Sequence, residues 1–146
     1  MTTTLRVAFR YDDRRVFAQV VRLLRGGDSA HVEVSARQVA DMHDCISSSH
    51  MDGGVRLKIM PLPGQKWRVY QTDIPSARAY EWLALNDHLG YGWVRLLRFL
   101  FPFLRPNVGG PICTIAVGQI LGIQDSECHD LRSLESAVRL RWGEPE

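Results

Sequence analysis

The chain has 146 residues, 45% of them hydrophobic and 23% charged, which fits one globular domain and excludes a disordered or fibrous chain. Eighteen basic residues, arginine apart from Lys58 and Lys66, face sixteen acidic ones, and the formal charge of +2 gives no electrostatic case for nucleic-acid binding. Cys45, Cys113 and Cys128 lack the CxxC pairs of a zinc site and the density of a disulfide scaffold, so reduced thiols are expected.

In chain order, "TLRVAFRY" reads as a first strand. Asp12 or Asp13 then caps a predicted helix over "RRVFAQVVRLLR", whose Val16, Val20, Leu23 and Leu24 fall near one face before Gly26 and Gly27 end it. The period then changes from helical to alternating. "AHVEVSA", "DMHDCISSS", "GVRLKIM" and "KWRVYQT" are four further strands, separated in part by Asp-Gly-Gly and Pro-Leu-Pro-Gly turns, and together they predict a small antiparallel sheet. "PSARAYEWLALNDHLG" and "GWVRLLRFLF" read as helices, the second stopped by Pro102. A Pro/Gly-rich loop leads to "PICTIAVGQILG", a short apolar helix, and Ser133 is the expected cap of a last helix, "LESAVRLRW". The layout predicts one α+β domain over residues 1–146, with no repeat or linker.

"MTTTLRVAFRYDD" lacks the charged and apolar regions of a signal peptide, so independent export is not expected. "WVRLLRFLFPFL" is broken by Arg95, Arg98 and Pro102 and is too short to span a bilayer, so stable membrane insertion is not expected either.

Two residues carry the candidate chemistry. His31 opens a strand after a Gly-Asp-Ser turn, with Glu33 two positions on and therefore on the same face. Cys113 stands at a predicted helix N-terminus, where unpaired N–H groups and a partial positive charge stabilise a thiolate; the apolar residues after it equally suit a buried filler. A Cys/His site needs the base within reach of the thiol and a third polar group to orient the base. His43, Cys45 and His50 lack a fourth ligand and zinc spacing, so no metal or cofactor is expected.

The runs "SAHVEV", "CISSSHMDGGVRLK", "GYGWVRLLRF" and "PICTIAVGQILGI", in that order, resemble the circularly permuted branch of the papain-like NlpC superfamily of amidases and peptidases. Small proteins of this branch are often encoded by bacteriophages, and lecithin retinol acyltransferase-like proteins share its order. The similarity runs from about Leu5 to Ile123, and Asp52-Gly53-Gly54-Val55-Arg56 is its most specific motif. The resemblance implies a permuted papain-like fold, a small sheet or half-barrel against helices, with the histidine strand first and the nucleophilic cysteine later. Cys113 carries over as nucleophile and His31 as general base. Glu33 and Ser47 are the leading candidates to orient His31, ahead of His43. Relatives commonly carry Ser-Glu after the nucleophile, where this chain has Thr114 and Ile115.

By this resemblance the chain is a cysteine peptidase or amidase acting on a peptidoglycan peptide or another amide, in a phage tail or in the bacterial cytoplasm before assembly. The alternatives are an assembly protein bound to other phage tail proteins, keeping the fold with a weakened or unused site, and a lipid acyltransferase.

Overall fold

Leu5, Val7 and Phe9 alternate along β1 (Thr4–Arg10), and Val32, Val34 and Ala36 along β2 (His31–Val39). In the computed structural model, which describes residues 3–11, 16–25, 28–93, 95, 103 and 110–146, all six lie in one buried cluster beneath the helices. Successive strand side chains point to opposite faces, so one face of the sheet becomes the main core. With β3 (Met42–Ser49), β4 (Gly54–Pro61) and β5 (Trp67–Pro75) they form a five-stranded antiparallel sheet in the order β4-β3-β2-β1-β5. The histidine strand β2 is therefore the central one. A smaller cluster of Ala8, Cys45, Leu62 and Trp67 covers part of the opposite face, which buries β2 from both sides over its first half.

The described helices are α1 (Val16–Arg25), α2 (Ala77–Asn86), α3 (Cys113–Leu121) and α4 (Leu131–Trp142), with a short 3-10 turn at Ser126–Cys128. The domain is thus α+β. Helix α3 lies against β2 and β3, and eight of its nine residues are buried. Burying an Ile or Leu side chain contributes about 1.5–3 kcal/mol, so Ile120 and Leu121, in the same cluster as the strand residues, hold this helix firmly on the sheet. It ends at Gly122, whose positive φ of 67° is the left-handed C-cap that glycine accepts without strain. Helix α4 buries Leu131, Leu134 and Val138, and Tyr70 of β5 donates to its Glu135 at 2.7 Å.

The structure departs from the sequence reading in three places. Strand β5 runs on to Pro75, because its last residues continue to pair with Thr4 of β1. Helix α4 begins earlier than expected, capped by Asp130, whose carboxylate accepts from the Ser133 N–H at 2.7 Å. Side-chain acceptance one turn before the first free N–H groups is what a cap does, and Asp130 rather than Ser133 has that position. On α1, the apolar face expected from the spacing is left uncovered at Val16, Val20 and Leu23, which are exposed, while the Leu24 side chain lies outside the described ones. Asp12, Asp13, Gly26, Gly27 and most of the helix expected over 92–101 lie outside the described residues.

The β3–β4 turn is built on glycine. Gly54 has φ of 146°, and a Cβ there would stand 2.3 Å from the Leu89 carbonyl oxygen and 2.7 Å from the Gly90 backbone, to which Gly54 is bridged. Both the backbone conformation and the close approach exclude a side chain. Gly54→Ala is expected to destabilise the domain by about 1–3 kcal/mol, measured as a lowered urea midpoint with unchanged slope.

Candidate active site

The site forms where the start of β2 meets the N-terminus of α3. Antiparallel pairing sets His31 opposite Arg10 of β1, and Val32 lies beside Ser47 of β3, whose hydroxyl donates to the Val32 carbonyl at 2.8 Å. The segment before α3 is fastened to the same end of the sheet, since Ser48 Oγ donates to the Pro111 carbonyl at 2.5 Å and Tyr91 packs against Ile112 and Ile115. Tyr91, Trp93 and His50 pack edge-to-face beside it, with ring centroids 5.1–6.0 Å apart. These contacts leave Cys113 as the first residue of α3, 5% exposed. Its N–H is among those at a helix start that no intrahelical carbonyl accepts.

The His31 ring hydrogen-bonds to the Cys113 side chain and, through Nε2, to Glu33 Oε1 at 2.6 Å. An ionised carboxylate can only accept, so Nε2 carries the proton in that bond and Nδ1 is the ring nitrogen available to sulfur. Glu33 is fully buried, and His31 keeps about a fifth of its side chain exposed. Arg56 grips the same carboxylate with two nitrogens, Nη1 to Oε2 at 2.7 Å and Nη2 to Oε1 at 2.5 Å. Its Nε donates to Asp52 at 2.9 Å, and Asp52 also accepts from Lys58 at 3.2 Å.

These contacts set the protonation states. Burial alone would lower the His31 pKa, but the Glu33 charge and the hydrogen bonds to Cys113 and Glu33 outweigh it and hold the imidazole up at about 10. Burial would likewise raise the Glu33 pKa, yet the charge of His31 and the hydrogen bond from Arg56 bring it down to about 2. At neutral pH the imidazole is therefore charged and faces the thiol on one side and a carboxylate on the other. That is the electrostatic setting of a thiolate–imidazolium pair.

Of the candidates for orienting His31, Glu33 is the one in contact with the ring. Ser47 is on the adjacent strand with its hydroxyl given to the Val32 carbonyl, and His43 Nδ1 is 2.9 Å from Ser35 Oγ, toward the other end of β2. Thr114, directly after Cys113, is fully buried, and its hydroxyl has no hydrogen-bond partner among the described residues. Arg56, Asp52 and Ser48 were not among the expected site residues. The signal for Arg56 was its place in the strand after Asp-Gly-Gly, where the register sets it opposite Ser47 and on the face of Glu33.

The other two cysteines differ in setting. Cys45 is buried, and desolvation followed by the Glu33 charge pushes its thiol up, whereas Cys128 is exposed. Among the described residues no three His, Cys, Asp or Glu side chains are grouped to hold a metal ion, and no helix is long and apolar enough to cross a membrane. No family model matches the chain, and neither does any curated protein or solved structure.

Proposed function

We propose that this protein is a cysteine hydrolase of the permuted papain-like type that cleaves an amide bond, with a peptidoglycan peptide as substrate and a phage tail as its place of work. The observation that carries the reading is the unbroken chain of side-chain contacts Cys113–His31–Glu33, with the sulfur at a helix start and the carboxylate buried. The Cys113 thiolate attacks the carbonyl carbon, and the oxyanion is held by the Cys113 N–H at the positive end of α3. His31 gives its proton to the departing amine, leaving a thioester on Cys113. Neutral His31 then takes a proton from water, which attacks the thioester and frees the acid. Glu33 keeps the ring oriented and stabilises its charged form in both steps. The substrate class and setting rest on the sequence resemblance.

A second reading is an assembly protein that keeps this fold without using the site. The exposed apolar side chains of Val16, Val20 and Leu23 on α1 favour it, as a face another tail protein could cover. One experiment separates the two. One aliquot of the purified protein is treated with iodoacetamide at neutral pH and its labelled residues are quantified by mass spectrometry, while an untreated aliquot is incubated with purified cell wall. The hydrolase reading expects Cys113, despite its burial, to alkylate faster than exposed Cys128, with release of peptides carrying new amino termini. Alkylation of Cys128 alone with no release supports the assembly protein.

A further inference from the structure

Glu33 has to do two things in a place where water cannot help it: remain ionised, and keep one oxygen on the His31 ring. A buried carboxylate with histidine as its sole partner is drawn toward its neutral form by desolvation and can turn about its own torsions. The contacts of Arg56 bear on both. Its two terminal nitrogens reach different oxygens of Glu33, a fork that sets the plane of the carboxylate as well as its charge. The guanidinium is fixed in turn by Asp52, which Lys58 steadies from the surface.

We propose that Arg56 is a positioning residue of the site: its fork locks Glu33 in the orientation that aims Oε1 at His31 Nε2 and thereby aims the opposite ring nitrogen at Cys113. The proposal deepens the cysteine hydrolase reading and rests on it. It also gives the Asp52-Gly53-Gly54-Val55-Arg56 turn a task, since the tight turn brings Asp52 back onto Arg56 Nε. Among the described residues, the charged and titratable groups facing this assembly are Cys113 from α3, Cys45 from β3, and Asp52 and Lys58 from the turn and β4, with Arg10 of β1 in register with His31. Among these, Arg56 is the cation in direct contact with Glu33 besides His31.

The test compares the full-length protein with Arg56→Gln and Arg56→Lys. Two quantities are read against pH: the rate of Cys113 alkylation by iodoacetamide, and the His31 ring titration by NMR. In Arg56→Gln the Glu33 carboxylate is no longer fixed in plane and turns from the ring, so His31 loses its hydrogen bond and the close contact with its counter-charge. The acid midpoint of Cys113 alkylation is expected to rise by about one pH unit, a tenfold loss of rate on the acid limb, and the His31 midpoint is expected to fall. Arg56→Lys keeps the charge without the fork and is expected to lie between wild type and Arg56→Gln. A folded Arg56→Gln protein with both midpoints unchanged overturns the proposal and leaves Arg56 a structural ion-pair partner. If Arg56→Gln does not fold, Arg56→Lys decides: shifted midpoints support the positioning role, and wild-type midpoints overturn it. Failure of the hydrolase reading looks different, because wild-type Cys113 would then alkylate no faster than Cys128.

Discussion

Cys113→Ala is expected to lower amide hydrolysis by roughly a thousandfold or more while leaving the fold in place. In the proposed mechanism the acyl intermediate forms on sulfur, and among the described residues no neighbouring group is placed to take over. Thr114 follows Cys113 directly, but its hydroxyl is fully buried and, among the described residues, has no base in hydrogen-bond contact. The structural cost is small because alanine keeps the helical backbone of α3 and removes one atom from a site already at the edge of the core. A loss of about 1 kcal/mol is expected, a shift of a few degrees in melting temperature. The measurement is kcat/KM on wall-derived peptides beside a thermal melt of the same sample. Undiminished peptide release by a folded Cys113→Ala protein would remove the hydrolase reading.

Glu33→Gln is expected to damage stability and reactivity together. The substitution keeps the shape of the side chain but leaves His31 and Arg56 facing a neutral amide in a fully buried position. Removing one partner of a buried, hydrogen-bonded charge cluster costs about 3–5 kcal/mol, mostly because the remaining charges are left uncompensated. The pH dependence has a definite sign. Glu33 has its pKa lowered on folding, so its contribution is complete above the ordinary carboxylate value and is lost as pH falls toward about 2. His31 has its pKa raised on folding, so its contribution is complete below the ordinary imidazole value and is lost as pH climbs toward about 10. Wild-type urea midpoints are therefore expected to be highest between these limits, near pH 5.5, and to fall on both sides through this pair. In Glu33→Gln the carboxylate arm is gone, and against burial, which lowers the His31 pKa, only Cys113 is left of the partners that raise it. The decline above pH 6.5 should flatten, and a variant that keeps the wild-type slope there would show that Glu33 does not hold the charge of His31.

Alternation carried most of the sheet from sequence to structure. Leu5, Val7 and Phe9 or Val32 and Val34 are apolar at every second position, and the glycine turns between strands are local. Glu33 was legible for the same reason, since two residues along a strand is always the same face. What failed depended on distant partners. Parity put Ser47 on the right face but could not show that the nearest acceptor for its hydroxyl would be the Val32 carbonyl. Arg56 was not legible, because a charged strand residue ordinarily reads as solvent-facing and becomes a half-buried clamp only once β3 sets it beside Glu33. Helix α1 misled in the opposite direction. Its apolar spacing is that of a core-facing helix, but spacing records only that a face exists, and Val16, Val20 and Leu23 stay exposed.

The order of elements has a consequence for synthesis. All five strands lie before residue 76, so His31, Glu33 and Arg56 can assemble on the sheet while the segment carrying Cys113 is still to be made. A nascent chain stopped short of Pro111 holds the base, the carboxylate and the arginine but no sulfur nucleophile at their centre. On the hydrolase reading, docking of α3 is the step that would bring Cys113 to His31. A chain still on the ribosome therefore lacks its nucleophile, on that reading, until the whole sheet and α2 have been made.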